Sequence, residues 1–115
     1  MKTLKIFAVL IASVILFAFS LNHQQKRDVK EIMLTEEDAD WAAKQWNGTT
    51  LADLKSGQEI FNNNCDKCHK LKDPKKLTAE GWQKIVPKMA EKKKINLDKK
   101  QEDLVLKFVI TAGRK

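Results

Sequence analysis

Tyrosine is missing from the chain altogether, and cysteine, histidine and proline occur only twice each in 115 residues. So short a chain with so few chemistry-bearing side chains excludes a multidomain enzyme. No strand-like alternation, internal repeat or low-complexity tract runs through it, which argues against a sheet-based domain, a solenoid and a compositionally disordered protein. Apolar material is scarce as well. The overall 43% hydrophobic content is inflated by the first 21 residues, and what remains is little from which to close a core. Something must supplement it.

The long apolar run is confined to the N-terminus. Lys2 and Lys5 precede Ile6 to Phe19, in which Ser13 is the only polar residue, a signal-peptide pattern. Ala18-Phe19-Ser20 offers small residues at the two positions read by a signal peptidase, with a mature start near Leu21. The alternative is an uncleaved anchor, because no charge falls between Lys5 and Lys26. Against it, the run is shorter than the roughly 20 residues that span a bilayer comfortably. No cysteine near Ser20 offers a lipid attachment. Under either reading, residues beyond about 22 face the outside of the cytoplasmic membrane, so the expected location is periplasmic or tethered to that membrane's outer face.

Charge is uneven. The net +7 hides a balance of −3 over residues 22–54 and +8 over residues 55–115. A basic half attracts any anionic partner; export and the lack of a recognition motif disfavour nucleic acid.

The exported part divides into a linker with an accessory helix over residues 22–49 and a helical domain over 50–115. Asn22 to Leu34 mixes both charges without a period and reads as a mobile linker. Thr35 opens a capping box with Asp38, and Ala39, Ala42, Ala43 and Trp46 then line one helix face; Asn47-Gly48 ends it. Thr50 and Asp53 open a second box, followed by a stripe of Leu54, Gly57, Phe61 and Cys65. Trp82, Ile85, Val86 and Met89 form a third series, in which Pro87 demands a kink or restart. Asp98 with Gln101 caps a last helix whose buried face is Leu104, Val105, Phe108 and Val109, and Gly113 stops it.

The two cysteines stand as Cys65-Asp66-Lys67-Cys68, and His69 follows at once. This is the attachment sequence for c-type haem. Two thiols at this spacing can each add to one vinyl group on the same porphyrin edge, and the next side chain is carried under the iron as the proximal ligand. Three other readings compete. A disulfide would close a very small loop and leave His69 unexplained; a thioredoxin-like dithiol needs a βαβ context that is absent. A zinc site needs four ligands, and His23 is the only addition, alone in the linker. A covalent haem c would also supply the apolar body that three short helices need, and its removal should leave the chain largely unfolded.

The run Gly57-Gln58-Glu59-Ile60-Phe61-Asn62-Asn63-Asn64-Cys65-Asp66-Lys67-Cys68-His69 resembles class I c-type cytochromes, small monohaem electron carriers, and Leu104 to Val109 looks like their C-terminal helix. The resemblance covers about residues 51 to 113. Trp82 to Met89 is similar to a bacterial subgroup with Trp-x-x-x-Val-x-x-Met after the haem motif. It implies an all-α, cytochrome c-like domain wrapped around one haem, with an extra N-terminal helix, and a crossing of Gly57 and Phe61 against Val105 and Phe108. The chain departs from the family in having Asp73-Pro74-Lys75-Lys76-Leu77 where Gly-Pro precedes Leu. It also has a shorter stretch than usual between His69 and Met89.

Met89 is the only methionine after the motif. On a helical stripe it reads as core; beside a haem that needs a sixth ligand, with no histidine downstream, it reads as that ligand, with lysine, water or an open position as alternatives. Trp82 reads as haem-packing core whose indole could meet a propionate. Lys67, Lys70, Lys72, Lys75, Lys76, Lys88, Lys92, Lys93 and Lys94 bracket the ligands. Singly each is a solvated side chain; as a set they could steer acidic redox partners. The expectation is therefore an electron carrier with no enzymatic activity, holding haem c through Cys65, Cys68, His69 and Met89. A gas-sensing or peroxidatic domain with an open sixth position is the alternative, and a membrane-tethered structural haem subunit a third reading.

Overall fold

A computed structural model describes residues 29–115; the apolar leader, the cleavage position near Leu21 and His23 lie outside the described residues. The order of elements is a 3-10 turn at Val29–Glu31, α1 (Glu36–Gln45), α2 (Leu51–Asn64), a second 3-10 turn at Pro74–Lys76, α3 (Ala79–Ala90) and α4 (Lys99–Gly113). No strand occurs among the described residues, and the fold is all-α.

Each helix begins where its side chains satisfy the first free N–H groups. Thr35 with Asp38, Thr50 with Asp53 and Asp98 with Gln101 form reciprocal capping boxes, and Thr78 accepts from Gly81 N–H at the start of α3. Such caps contribute about 1 kcal/mol each. Between α1 and α2 the chain reverses at Gly48, whose φ of 82° lies in the left-handed region that glycine adopts without a steric cost.

The core is built on the crossing of α2 and α4. A Cβ at Gly57 would collide with the Leu104 carbonyl oxygen and come within 2.9 Å of Phe108 Cβ, so the absent side chain lets the two backbones touch. Around this point Leu54, Val105, Phe108 and Val109 are fully buried. Phe61 carries the packing onward, its ring 5.5 Å from Phe108 and, edge to face, 6.1 Å from Trp82 on α3. α3 and α1 both lean on α4, and the Pro74 turn packs beneath its C-terminus, where a Cβ at Gly113 would lie 2.8 Å from the Pro74 carbonyl.

Two expectations need correction. α3 runs through Pro87 to Ala90 instead of restarting there. Pro87 sits in the last turn, where its missing N–H removes a single bond, and its own carbonyl still accepts from Glu91 N–H at 3.3 Å. The segment taken for a mobile linker is also structured over its described part. Ile32 and Leu34 are buried, the Ile32 carbonyl accepts from Gln58 Nε2 at 2.7 Å, and the Lys30 carbonyl accepts from Asn62 Nδ2 at 3.1 Å. Two alternate apolar side chains and two side-chain amides on α2 are what hold this strap.

α1 is fixed from the other end of the chain. Asp38, fully buried, receives Arg114 Nη2 and Lys115 Nζ at 2.7 Å each, and the Arg114 guanidinium lies 5.1 Å from the centre of the Trp41 ring. Trp41 meets Trp46 edge to face at 6.1 Å, both rings packed partly against the core.

Candidate functional site

α2 ends at Cys65, which keeps helical backbone angles and donates its N–H to the Phe61 carbonyl at 3.0 Å. The chain then turns tightly: Lys67 N–H reaches the Asn64 carbonyl at 3.4 Å, the Lys67 ammonium meets Asn64 Oδ1 at 3.2 Å, and Asn64 Nδ2 donates back to the Ile60 carbonyl at 2.8 Å. The three asparagines are thus the helix exit, and one of them braces the cysteine turn from within.

Beside this turn opens an apolar cleft with a cavity volume of about 90 Å³, below the roughly 300–1,000 Å³ of typical small-molecule sites. Cys65 and His69 stand on one side with Phe61, while Trp82, Ile85, Val86 and Met89 of α3 form another wall. Val105 of α4 closes the back, and Ile95 and Leu97 complete the lining from the loop between α3 and α4. Three of the four anticipated haem-binding residues, Cys65, His69 and Met89, therefore share one cleft. Cys68 is exposed and is not part of its lining.

The His69 ring is oriented by its neighbour. Its Nδ1 lies 2.8 Å from the Lys70 carbonyl oxygen; a carbonyl only accepts, so Nδ1 carries the hydrogen and the neutral ring keeps its lone pair on Nε2. That is the arrangement in which imidazole ligates a metal through Nε2 with its other nitrogen held by a backbone oxygen. The Pro74 carbonyl serves elsewhere: it accepts the indole N–H of Trp82 at 2.9 Å inside the core, so that indole is committed to the backbone and ties the cleft wall to the turn under α4.

Burial, helped by the negative charge of Asp66, pushes the Cys65 thiol up to about 11. It is a protonated, poorly nucleophilic thiol at neutral pH. Both cysteines are free thiols, and among the described residues no group of three or more His, Cys, Asp or Glu side chains is placed to hold a metal ion. The structure thus offers no cluster for the zinc reading and no Cys65–Cys68 disulfide.

Sequence reasoning missed the contributions of Ile95 and Leu97 to the cleft, whereas Lys72, one of the lysines bracketing the motif, does reach its lining. The signal was faint: two apolar residues flanking Asn96, which takes a left-handed φ of 45°, just after a lysine run. Asparagine tolerates that conformation and lets the loop set Ile95, 5% exposed, against the core. Comparison with family models, with curated proteins and with solved structures returns no match for this chain.

Proposed function

We propose that this protein is a monohaem c-type cytochrome that carries single electrons between redox partners outside the cytoplasm. The observation that carries the reading is the Cys65-x-x-Cys68-His69 motif on the rim of an apolar cleft whose facing helix supplies Met89. The residues fit the group on two further counts: the cleft is lined almost wholly by apolar side chains, and His69 offers a free Nε2 held in place through Nδ1.

Cys65 and Cys68 would hold the porphyrin through thioethers, His69 would be the proximal ligand and Met89 the sixth. Haem iron in such a site supplies a one-electron Fe(III)/Fe(II) couple, and a thioether ligand raises its potential. The chain's own residues do the rest. Phe61, Trp82, Val86 and Val105 exclude water from the site, Lys70 fixes the tautomer of His69, and the exposed lysines around the motif attract acidic faces of partner proteins. No substrate is transformed.

The test is the optical spectrum of protein made with a c-type haem maturation system. A low-spin ferric spectrum with the weak far-red band of Met ligation, and a ferrous spectrum unchanged by carbon monoxide, is the expected result. A high-spin spectrum that shifts with carbon monoxide would instead favour the sensor or peroxidatic reading, and failure to acquire haem would overturn both.

A further inference from the structure

The cleft lining is poor in groups that can meet a negative charge. Apart from Cys65, His69 and Met89, which the electron-carrier reading assigns, only Trp82 and Lys72 bring a hydrogen-bond donor to it. Trp82 is already committed. Its indole N–H, the one donor on that ring, goes to the Pro74 carbonyl at 2.9 Å inside the core, and withdrawing it would strand a buried acceptor. Lys72 is the reverse case: it is exposed, and no carboxylate among the described residues is paired with it.

An apolar ligand that carries acid groups needs such a partner. Haem c has two carboxylates, on the edge of the macrocycle opposite the vinyl groups that the cysteines would take, so their partner must stand well away from Cys65 and Cys68. The chain supplies that place. Beyond the cysteine turn it runs without turn or bend from Lys70 to Asp73, a stretch that can carry Lys72 about 10 Å past His69. The Pro74 turn that follows is packed under α4, which fixes the far end of the run. An ammonium on a flexible four-carbon stem offers three donors there, and a charge-assisted pair bordered by apolar walls is stronger than the same pair in open water.

We infer that Lys72 is a haem-positioning residue: its ammonium pairs with a haem carboxylate, the role the sequence suggested for the Trp82 indole. This deepens the electron-carrier reading and rests on it. Lys72 then leaves the set of lysines free to meet acidic partners. Its charge, held at the macrocycle, disfavours the more positive ferric form and raises the potential.

The test compares the full chain, matured with haem c, with its Lys72→Met, Lys72→Arg, Lys75→Met and Lys92→Met variants; Lys75 and Lys92 are exposed and lie outside the cleft lining. Resonance Raman reads the pairing through the haem propionate bending band, and a redox titration reads the charge. Lys72→Met should shift the band and lower the midpoint potential. Lys72→Arg, which keeps a cation and its donors, should hold the band near its original position, and the other two variants should leave it unmoved. A band unmoved by Lys72→Met, or moved as far by Lys75→Met or Lys92→Met, would overturn the inference. So would a high-spin spectrum in Lys72→Met, which would make Lys72 an iron ligand. Bound haem with an unmoved band would sink this inference alone, whereas a preparation without haem absorption would sink the electron-carrier reading with it.

Discussion

The two ends of α2 meet different surroundings. Near its middle, Gly57 presses against the Leu104 backbone and Leu54 is wholly enclosed by side chains of the same chain. At its C-terminus, Cys65 borders a cleft, and Phe61, packed on Phe108 and Trp82, also contributes to its lining. The first region is complete from protein atoms alone. The second is an open apolar surface lined by three helices and a loop; on the proposed reading a bound group would cover it, which is how a small domain can supplement a limited supply of apolar residues. Substitutions in the first region should therefore be read in stability, and those in the second in ligand chemistry.

The sharpest break of that contrast is Phe108→Ala. Phe108 is 0% exposed and packs on Phe61 with the rings tilted at 56°, so its truncation should cost about 3–5 kcal/mol, seen as a large fall in the urea midpoint with unchanged slope. Gly57→Ala comes next. The added methyl meets a backbone oxygen that cannot rotate away, and overpacking of this kind costs about 1–3 kcal/mol. An unchanged melting temperature would mean that α2 and α4 are not in close contact here.

Asp38 tests the first region from its edge. Burial would raise this carboxylate, but hydrogen bonds from Lys115 and Thr35 and the Lys115 charge hold it below its ordinary 3.8. A group lowered in the folded state adds stability above its unfolded value and loses it as pH falls through the folded one. Asp38→Asn should therefore cost about 1–3 kcal/mol at pH 7, and the gap to the unmodified protein should narrow as pH drops below 3.8. Urea midpoints at neutral and acid pH read this directly; a gap that stays constant would remove the clamp as its cause.

What was legible in the sequence follows the same division. Helix starts were readable because a capping box is local: Thr35, Thr50 and Asp98 each announce themselves within four residues. The stripes on α2, α3 and α4 were readable because periodicity selects the buried face. The strap and the Asp38 clamp were not, since both depend on partners far along the chain, Ile32 with Gln58 and Asp38 with Arg114 and Lys115. Pro87 misled for the opposite reason. Proline inside a helix removes one bond and crowds the carbonyl four residues back, a local cost that α3 absorbs while continuing to Ala90. At the site, the motif pointed to Cys65 and His69, which line the cleft, and to Cys68, which does not, whereas the walls from Ile95 and Leu97 come from a loop with no period to read.

The smallest expected change in stability is the one most informative about chemistry. Met89 is half-buried on the cleft wall, and leucine matches it in size, so Met89→Leu should shift stability by less than about 1.5 kcal/mol. Leucine has no lone pair to offer a metal. If Met89 is the sixth ligand, the variant should keep its haem through Cys65, Cys68 and His69, turn high-spin, and bind carbon monoxide in the ferrous state where the unmodified protein does not. A merely structural Met89 would leave the spectrum and the carbon monoxide response as they were, and Lys72, the other polar-ended side chain in the cleft lining beside His69, would become the residue to replace next. Because folding and ligation are read by separate measurements on one variant, a loss of either can be assigned without the other.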